Sequence, residues 1–543
     1  MVENMNTNFM STYRFWAGTS IASSIFLVQL APEYSVGGSY IWTAVPAFLL
    51  QWLVYTFYSI ILYPRFFSPL RHLPSPPGAS FFMGQFPAIS AEPTGMPLRR
   101  WINEVPNNGL IRYTYMFNME RLLITSPKTL GEVLTTKSYN FIKPRQFRHG
   151  LGRILGIGVL LAEGDEHKTQ RKNLMPAFNF RHIKDLYPVF WSKSREFVEA
   201  LQTELDKKAP GDVVEIGDWA SRATLDIIGV AGLGQDFGAL QNPNTELNTT
   251  YRKIFAPSKA AQRLGLLSIL IHPKILQKIP IKRNDDLFAA RQVIRTISRN
   301  LIRQKKAAME KNERRDIDII SVALESGGFS DENLVDQMMT FIAAGHETTS
   351  TTLTWAVYEL CKKPEVQTRL REEIHANIQS LHESIDAAKL DKLPYLRAVC
   401  SETFRHNAPV PLTLRDTAND CTIADTYVPR GTKIILCPWA VNFSKDLWGP
   451  DAFEFNPDRW MGSGRANTGG AESNYAMLTF LHGPRSCIGQ SFAKGEFACL
   501  LAALVGKFEF EMKDPDKEIR IQGGITARPR DGMHIKLKVV EGW

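Results

Sequence analysis

Three short stretches carry residues whose types and spacing can do chemistry. Residues 480–489 read FLHGPRSCIG and set one cysteine, Cys487, in a loop punctuated by Gly483 and Gly489. Behind it Ala493, Phe497, Leu500, Leu501 and Leu504 recur at helical spacing. Cys487 therefore lies just ahead of a helix N-terminus, where unpaired backbone N–H groups favour a thiolate. The two glycines let the backbone turn sharply and approach a flat ligand with no Cβ in the way, and Arg485 can reach an acidic group on it. Taken alone, a cysteine is more often a small buried hydrophobe. The second stretch, FIAAGHETT at 341–349, sets a glycine and adjacent threonines mid-helix, where propensity disfavours them. Ala344, Gly345 and Thr348 share a face, which serves close helix packing or leaves room for a planar group. His346-Glu347 is not half of a zinc motif, because position 350 is serine. The third stretch, Glu402-Thr403-Phe404-Arg405, spaces a carboxylate and a guanidinium for pairing on a helix.

Together these stretches resemble the cytochrome P-450 family. Phe480, Gly483, Arg485, Cys487 and Gly489 fill every fixed position of its Phe-x-x-Gly-x-Arg-x-Cys-x-Gly heme loop. Ala344 to Thr348 match its [Ala/Gly]-Gly-x-[Asp/Glu]-Thr motif, and Glu402, Arg405 and Arg459 its Glu-Arg-Arg triad. His167 and Arg171, four apart on a charged helix, match Trp-x-x-x-Arg with histidine in the tryptophan position; imidazole can donate the same kind of hydrogen bond.

The resemblance implies heme b, with Cys487 as the axial thiolate and metal ligand. It places Arg485, Arg171, His167 and Arg415 near the propionates, and Phe480, Gly483, Gly489 and Ala344 against the macrocycle. Thr348 and Glu347 become the catalytic pair, because cleaving dioxygen consumes two protons while the thiolate supplies electron density. Glu402, Arg405 and Arg459 become structural. The activity implied is insertion of one oxygen atom into a lipophilic molecule. The anchor and hinge resemble those of fungal biosynthetic members, which points to a terpenoid or polyketide-derived substrate. Gly232-x-Gly234 and Gly150-x-Gly152 fail the dinucleotide spacing, so electrons are expected from a separate NADPH-dependent flavoprotein reductase. Two alternatives stand beside this: a heme-thiolate isomerase or dehydratase that does not use dioxygen, and a non-catalytic heme-binding membrane carrier or sensor.

The elements that must position these residues are partly legible. A helix from Ser330 or Asp331 to about Lys362, ahead of Pro364, would run roughly 45–50 Å and carry the glycine–threonine segment at its centre. Residues 110–116 and 121–125 read as strands, 508–511 as another, and 525–527 with 533–540 as a closing pair in which Thr526 lines the cavity. Residues 462–473 read as a polar surface loop. The fold class expected is mainly α with small β-sheets (α+β), the long helix lying over the heme.

At 543 residues and a net charge of +9 with interspersed signs, the chain suits an anionic membrane or an acidic protein partner and carries no nucleic-acid module. Its six cysteines are scattered with no C-x-x-C pair, against structural zinc or a disulfide framework. Residues 40–63 are uncharged and long enough to span a bilayer. Residues 15–30 are shorter and serine-interrupted, a second span or an interfacial helix. Arg65 and Arg71 follow the main span, placing the remainder in the cytosol by the positive-inside tendency. The expected layout is an anchor at 1–72, a proline-rich hinge at 73–80 and a catalytic domain at 81–543, held on the endoplasmic reticulum.

Overall fold

The helix Asp331–Lys362 begins where Ser330 caps it, its hydroxyl accepting from Asn333 N at 3.3 Å, with Asp331 and Glu332 in the first turn and Lys362 in the last. These signs complement the helix dipole. Its 32 residues give about 48 Å. Most of its length is buried on all sides, packed by the helices Ile216–Ile227, Lys282–Glu310, Pro394–His406 and Gln490–Lys507. The threonine-rich centre survives because its hydroxyls turn back on the helix: Thr348 to Ala344 O, Thr351 to Glu347 O, Thr352 to Thr348 O and Thr354 to Ser350 O, at 2.7–2.9 Å. Such back-bonding satisfies each hydroxyl without a partner from another element. A Cβ on Gly345 would stand 2.9 Å from Ile228, so this glycine admits the neighbouring segment Ile228–Gly232.

The computed structural model describes residues 9–543 except 208, 210, 256–262, 265, 266, 268–272, 280 and 312–316. A five-stranded sheet runs in the order Leu110–Thr114, Glu120–Ile124, Lys433–Leu436, Thr413–Thr417, Phe141–Ile142. It is antiparallel except where Glu120–Ile124 meets Lys433–Leu436. A second sheet places His534–Val539 between Val213–Glu215 and Phe508–Met512. The expected closing pair is thus wrong in its partners: 533–540 pairs with 508–512, while Ile521–Gln522 pairs with Arg528–Pro529. Two apolar cores result, one around the long helix and one beneath the five-stranded sheet.

At the N-terminus Phe9–Leu30 packs against Tyr40–Phe57, which continues through a wider turn to Phe67. Among the described residues one helix, Tyr40–Phe67, is long and apolar enough to cross a membrane. Its last turns are tied down: Asn118 Nδ2 donates to Ile60 O (3.0 Å), Arg112 Nη2 to Pro64 O (2.7 Å) and Ser68 Oγ to Glu120 (2.7 Å). The proline segment is held as well, by Arg112 N on Pro74 O (2.9 Å) and Gln85 Nε2 on Pro76 O (2.7 Å). It is a strap along the edge strand Leu110–Thr114 rather than a free linker.

Candidate active site

The cysteine loop closes on itself through Cys487 N donating to Phe480 O at 2.8 Å. Gly483 takes φ 75°, and a Cβ there would lie 2.1 Å from Leu134 O, so glycine is required for both reasons. Leu481 also has positive φ, 54°, a conformation costly for a branched side chain. Gly489 corrects the sequence reading: its φ of −85° is ordinary, and a Cβ would meet only Phe178 at 3.9 Å. What that position offers is open space, not a turn. The Cys487 side chain is exposed yet so enclosed that burial pushes the thiol up, while the Gly489 N–H and Arg171 pull it down. The sulfur is thus accessible while protein surrounds it closely. The helix N-terminus alone therefore does not make a thiolate; a cation at sulfur is what would stabilise that form.

Around the loop lies a buried cationic cluster. Arg485 donates to Phe141 O (2.8 Å) and Glu163 Oε1 (2.5 Å). Arg171 donates to Ser486 O (2.5 Å), and Lys143 Nζ stands 3.8 Å from Glu163. Burial, then Arg415 and Arg485, pushes the Lys143 ammonium well down. Burial and Arg485 bring Arg415 down to about 10. His167, bonded through Nδ1 to Tyr139 OH at 3.0 Å, is brought down to about 4 by burial and then by Arg485, Lys143 and Arg171. Among the described residues Glu163 is the one acid entering these interactions. Arg485 Nε and Glu163 Oε2 are buried without a hydrogen-bond partner. Sequence reasoning missed Lys143, Tyr139 and Glu163. The Phe-Ile-Lys-Pro run at 141–144, a lysine set into an apolar strand, is the signal that was available.

On the long helix Thr348 Oγ1 donates to Ala344 O (2.7 Å), and Ala344 is open although most of its neighbours are buried. Glu347 is buried and turned toward the hairpin 521–529, where Oε1 accepts from Thr526 Oγ1 (2.8 Å) and Arg528 Nη1 (3.3 Å). Thr526, whose turn is expected in the cavity wall, has its hydroxyl on this acid. Arg528 is one-third exposed, at 33%, so the carboxylate connects to solvent through a cation. His346 stands beside this carboxylate, Nε2 4.0 Å from Glu347 Oε2 and Nδ1 donating to Ile342 O at 2.6 Å, with burial pushing its pKa down and Glu347 opposing.

The third stretch forms a closed knot. Glu402 and Arg405 are fully buried. Arg405 Nε and Nη2 donate to the two Glu402 oxygens (2.8 and 2.7 Å), and its remaining donors go to Asn442 O, Ala452 O and Glu454 O. Burial alone would push the Glu402 carboxyl up; the bonds and charge of Arg405, with Asn456 N and Trp460 Nε1, hold it below its ordinary value. Arg459 joins this knot as an ion pair, Nε 3.7 Å from Glu402 Oε1, while its hydrogen bonds go to Asp451 and Trp448 O. The knot reaches the cysteine loop through Thr479, whose hydroxyl donates to Phe404 O (2.7 Å), and through the Phe404–Phe480 ring contact at 5.0 Å.

A mainly helical fold, a long threonine-interrupted helix and a cysteine loop ringed by buried cations define a heme-thiolate protein. The family model for cytochrome P450 matches residues 74–536, and the chain belongs to that family. It is 48% identical over 534 residues to cytochrome P450 monooxygenase sphH of Aspergillus fumigatus, covering 96% of this chain and 97% of the relative. It is 45% identical to cytochrome P450 monooxygenase FUM15 of Gibberella moniliformis (89% and 90% covered) and 42% identical to cytochrome P450 monooxygenase ALT8 of Alternaria alternata (89% and 92%). The chain is a heme-dependent monooxygenase that takes dioxygen, a substrate and a redox partner. The residues present fit the heme: Lys143, Arg415 and Arg485 face one carboxylate, Glu163, with Arg171 beside Cys487, an imbalance that an anionic group such as a propionate would correct.

Proposed function

We propose that Cys487 Sγ is the axial ligand of heme b, with Arg485, Arg171, Arg415, His167 and Lys143 holding its propionates and Phe480, Gly483, Gly489 and Ala344 shaping the space around the ring. When bound, the heme supplies one-electron chemistry and dioxygen activation. The chain supplies the rest. Glu347, fixed by Thr526 and Arg528, draws protons from the solvent side, and Thr348 Oγ1 hands them to dioxygen as it is reduced. Glu402 and Arg405 hold the loop, with Arg459 bracing the segment around Asp451. The observation that carries this reading is the set of buried cations converging on a loop whose cysteine sulfur is accessible. The relatives are named monooxygenases, and no observation favours the isomerase or carrier alternatives.

The same reading places the chain on the endoplasmic reticulum, anchored by residues 1–72 and strapped by 73–80, with 81–543 in the cytosol and electrons from an NADPH-dependent flavoprotein reductase. The apolar helix Tyr40–Phe67 and the arginines after it support this. A terpenoid or polyketide-derived metabolite fits as substrate. The test is the reduced carbon-monoxide difference spectrum of the protein and of Cys487→Ala, followed by co-expression with a reductase and mass spectrometry of fed scaffolds. Loss of the thiolate band in the variant and a gain of one oxygen in a product are expected; survival of the band would sink the assignment.

A further inference from the structure

Gln51 is a polar residue inside the apolar anchor helix, and what satisfies it comes from the helix before it. Thr19 Oγ1 donates to Gln51 Oε1 at 2.9 Å and Ser20 Oγ at 3.3 Å. Ser20 and Ser24 of the first helix and Thr43 of the second are almost wholly buried (2%, 1% and 3% exposed), lining the seam between the two helices. The connecting turn is fastened to it, Val36 N donating to Thr43 Oγ1 at 2.9 Å. The outer faces are the reverse. Phe15, Phe26 and Leu30 on the first helix, and Ile41, Leu50 and Leu53 on the second, are each more than half exposed. A helix lying in the membrane surface keeps a polar face for water; here the polar side chains at mid-helix, Thr19 and Ser20, are turned to Gln51 of the neighbour.

We propose that Phe9–Leu30 and Tyr40–Phe57 cross the bilayer together as an antiparallel hairpin, leaving the N-terminus on the same side as the catalytic domain. Hydrocarbon is the occupant that two outward apolar faces and an inward polar seam require. The apolar part of the first helix, Phe15–Leu30, rises about 24 Å, a few ångströms under the roughly 27 Å hydrocarbon layer of the endoplasmic reticulum, a mismatch that local thinning or flanking side chains accommodate at modest cost. Aromatic residues stand at both levels: Trp16 meets Tyr55 with rings 5.7 Å apart, with Tyr58 and Tyr63 beyond, and Tyr34, Tyr40 and Trp42 lie at the other end. From Tyr40 to Tyr58 the rise is about 27 Å. The charges agree. Arg14 precedes the first apolar face and Arg65 and Arg71 follow the second, while the connection 31–39 holds Glu33 and no lysine or arginine.

The inference rests on the membrane-anchoring reading, and its test separates the two. In the full chain expressed in microsomes, an N-glycosylation cassette on a flexible spacer is placed either at the N-terminus or between Gly37 and Gly38. The membranes are also extracted with alkaline carbonate. The hairpin requires an endoglycosidase-sensitive mobility shift for the Gly37–Gly38 cassette only, with the chain retained in the carbonate pellet. A shift for both cassettes overturns the hairpin and leaves a single span at Tyr40–Phe67, and a shift for the N-terminal cassette only overturns it by leaving the first helix as the one span. No shift for either, with the chain still in the pellet, overturns any crossing by the first helix. Release of the chain by carbonate overturns the anchor itself, and the hairpin with it.

Discussion

Replacing Arg405 by lysine keeps the charge and removes the fork. All five N–H groups of Arg405 are spent on five acceptors at 2.7–2.8 Å, two of them the Glu402 oxygens. Lysine has three donors on a single atom, so at least two buried acceptors lose their partner. At ~1–3 kcal/mol each the loss is ~2–6 kcal/mol, a large part of the ~5–15 kcal/mol that holds a typical domain. Arg405→Met strands the Glu402 carboxylate at a cost of ~3–5 kcal/mol, and adding Glu402→Leu should recover part of it by removing the stranded charge. Because Thr479 and Phe480 lean on this helix, heme content should fall along with stability. The assay is thermal unfolding of each variant beside its reduced carbon-monoxide spectrum per chain. An Arg405→Lys protein that melts with the parent and holds the same heme would refute the reasoning.

Glu496 is fully buried, and burial raises its pKa well above 4.5 against the smaller opposing pull of Thr349. A folded-state pKa above the unfolded one gives stability that is complete below about pH 4.5 and lost as pH rises through the raised value. Unfolding curves against pH for the parent and Glu496→Gln should therefore diverge above that point, the variant flatter; parallel curves would contradict the assignment. Gly483→Ala must fit a Cβ 2.1 Å from Leu134 O at positive φ and should lose folded, heme-containing protein, whereas Gly489→Ala, with 3.9 Å of clearance, should keep the parent's thermal midpoint. Arg528→Leu removes the exposed cation from Glu347 and should lower product formed per NADPH consumed by roughly tenfold, equivalent to about 1.4 kcal/mol, with Arg528→Lys restoring most of it. Unchanged coupling in Arg528→Leu would remove Arg528 from the proton route.

What was legible in the sequence is what local chain chemistry decides. Ser330, the acidic first turn and Pro364 mark both ends of the long helix within a few residues of sequence, and Gly483 marks the turn that only glycine can make. What was not legible is the choice of partner across the fold. Lys143 and Glu163 meet Arg485 more than 300 residues away, so no spacing rule points to them. Arg459 pairs with the expected Glu402 at 3.7 Å, but nothing in the spacing announced Asp451 as a second, closer partner at 2.8 Å. The sequence places Thr526 in the cavity wall, but its hydrogen bond to Glu347, 179 residues away, was not foreseeable from it. Gly489 shows the opposite error: a glycine read as a turn residue where the backbone is ordinary and the space beside it is what counts.

The strap along Leu110–Thr114 bears on how this enzyme can be produced. That strand is the outer edge of its sheet, and its free side is met by Pro74 O on Arg112 N and by Gln85 N on Thr114 O. Uncovered strand edges recruit other chains. A form shortened ahead of Ile60 sheds the most apolar surface and keeps the cover; one shortened past Gln85 sheds the cover too and offers a bare edge to its neighbours. Solubility and length are then not monotonically related, and the shortest version should be the one that aggregates.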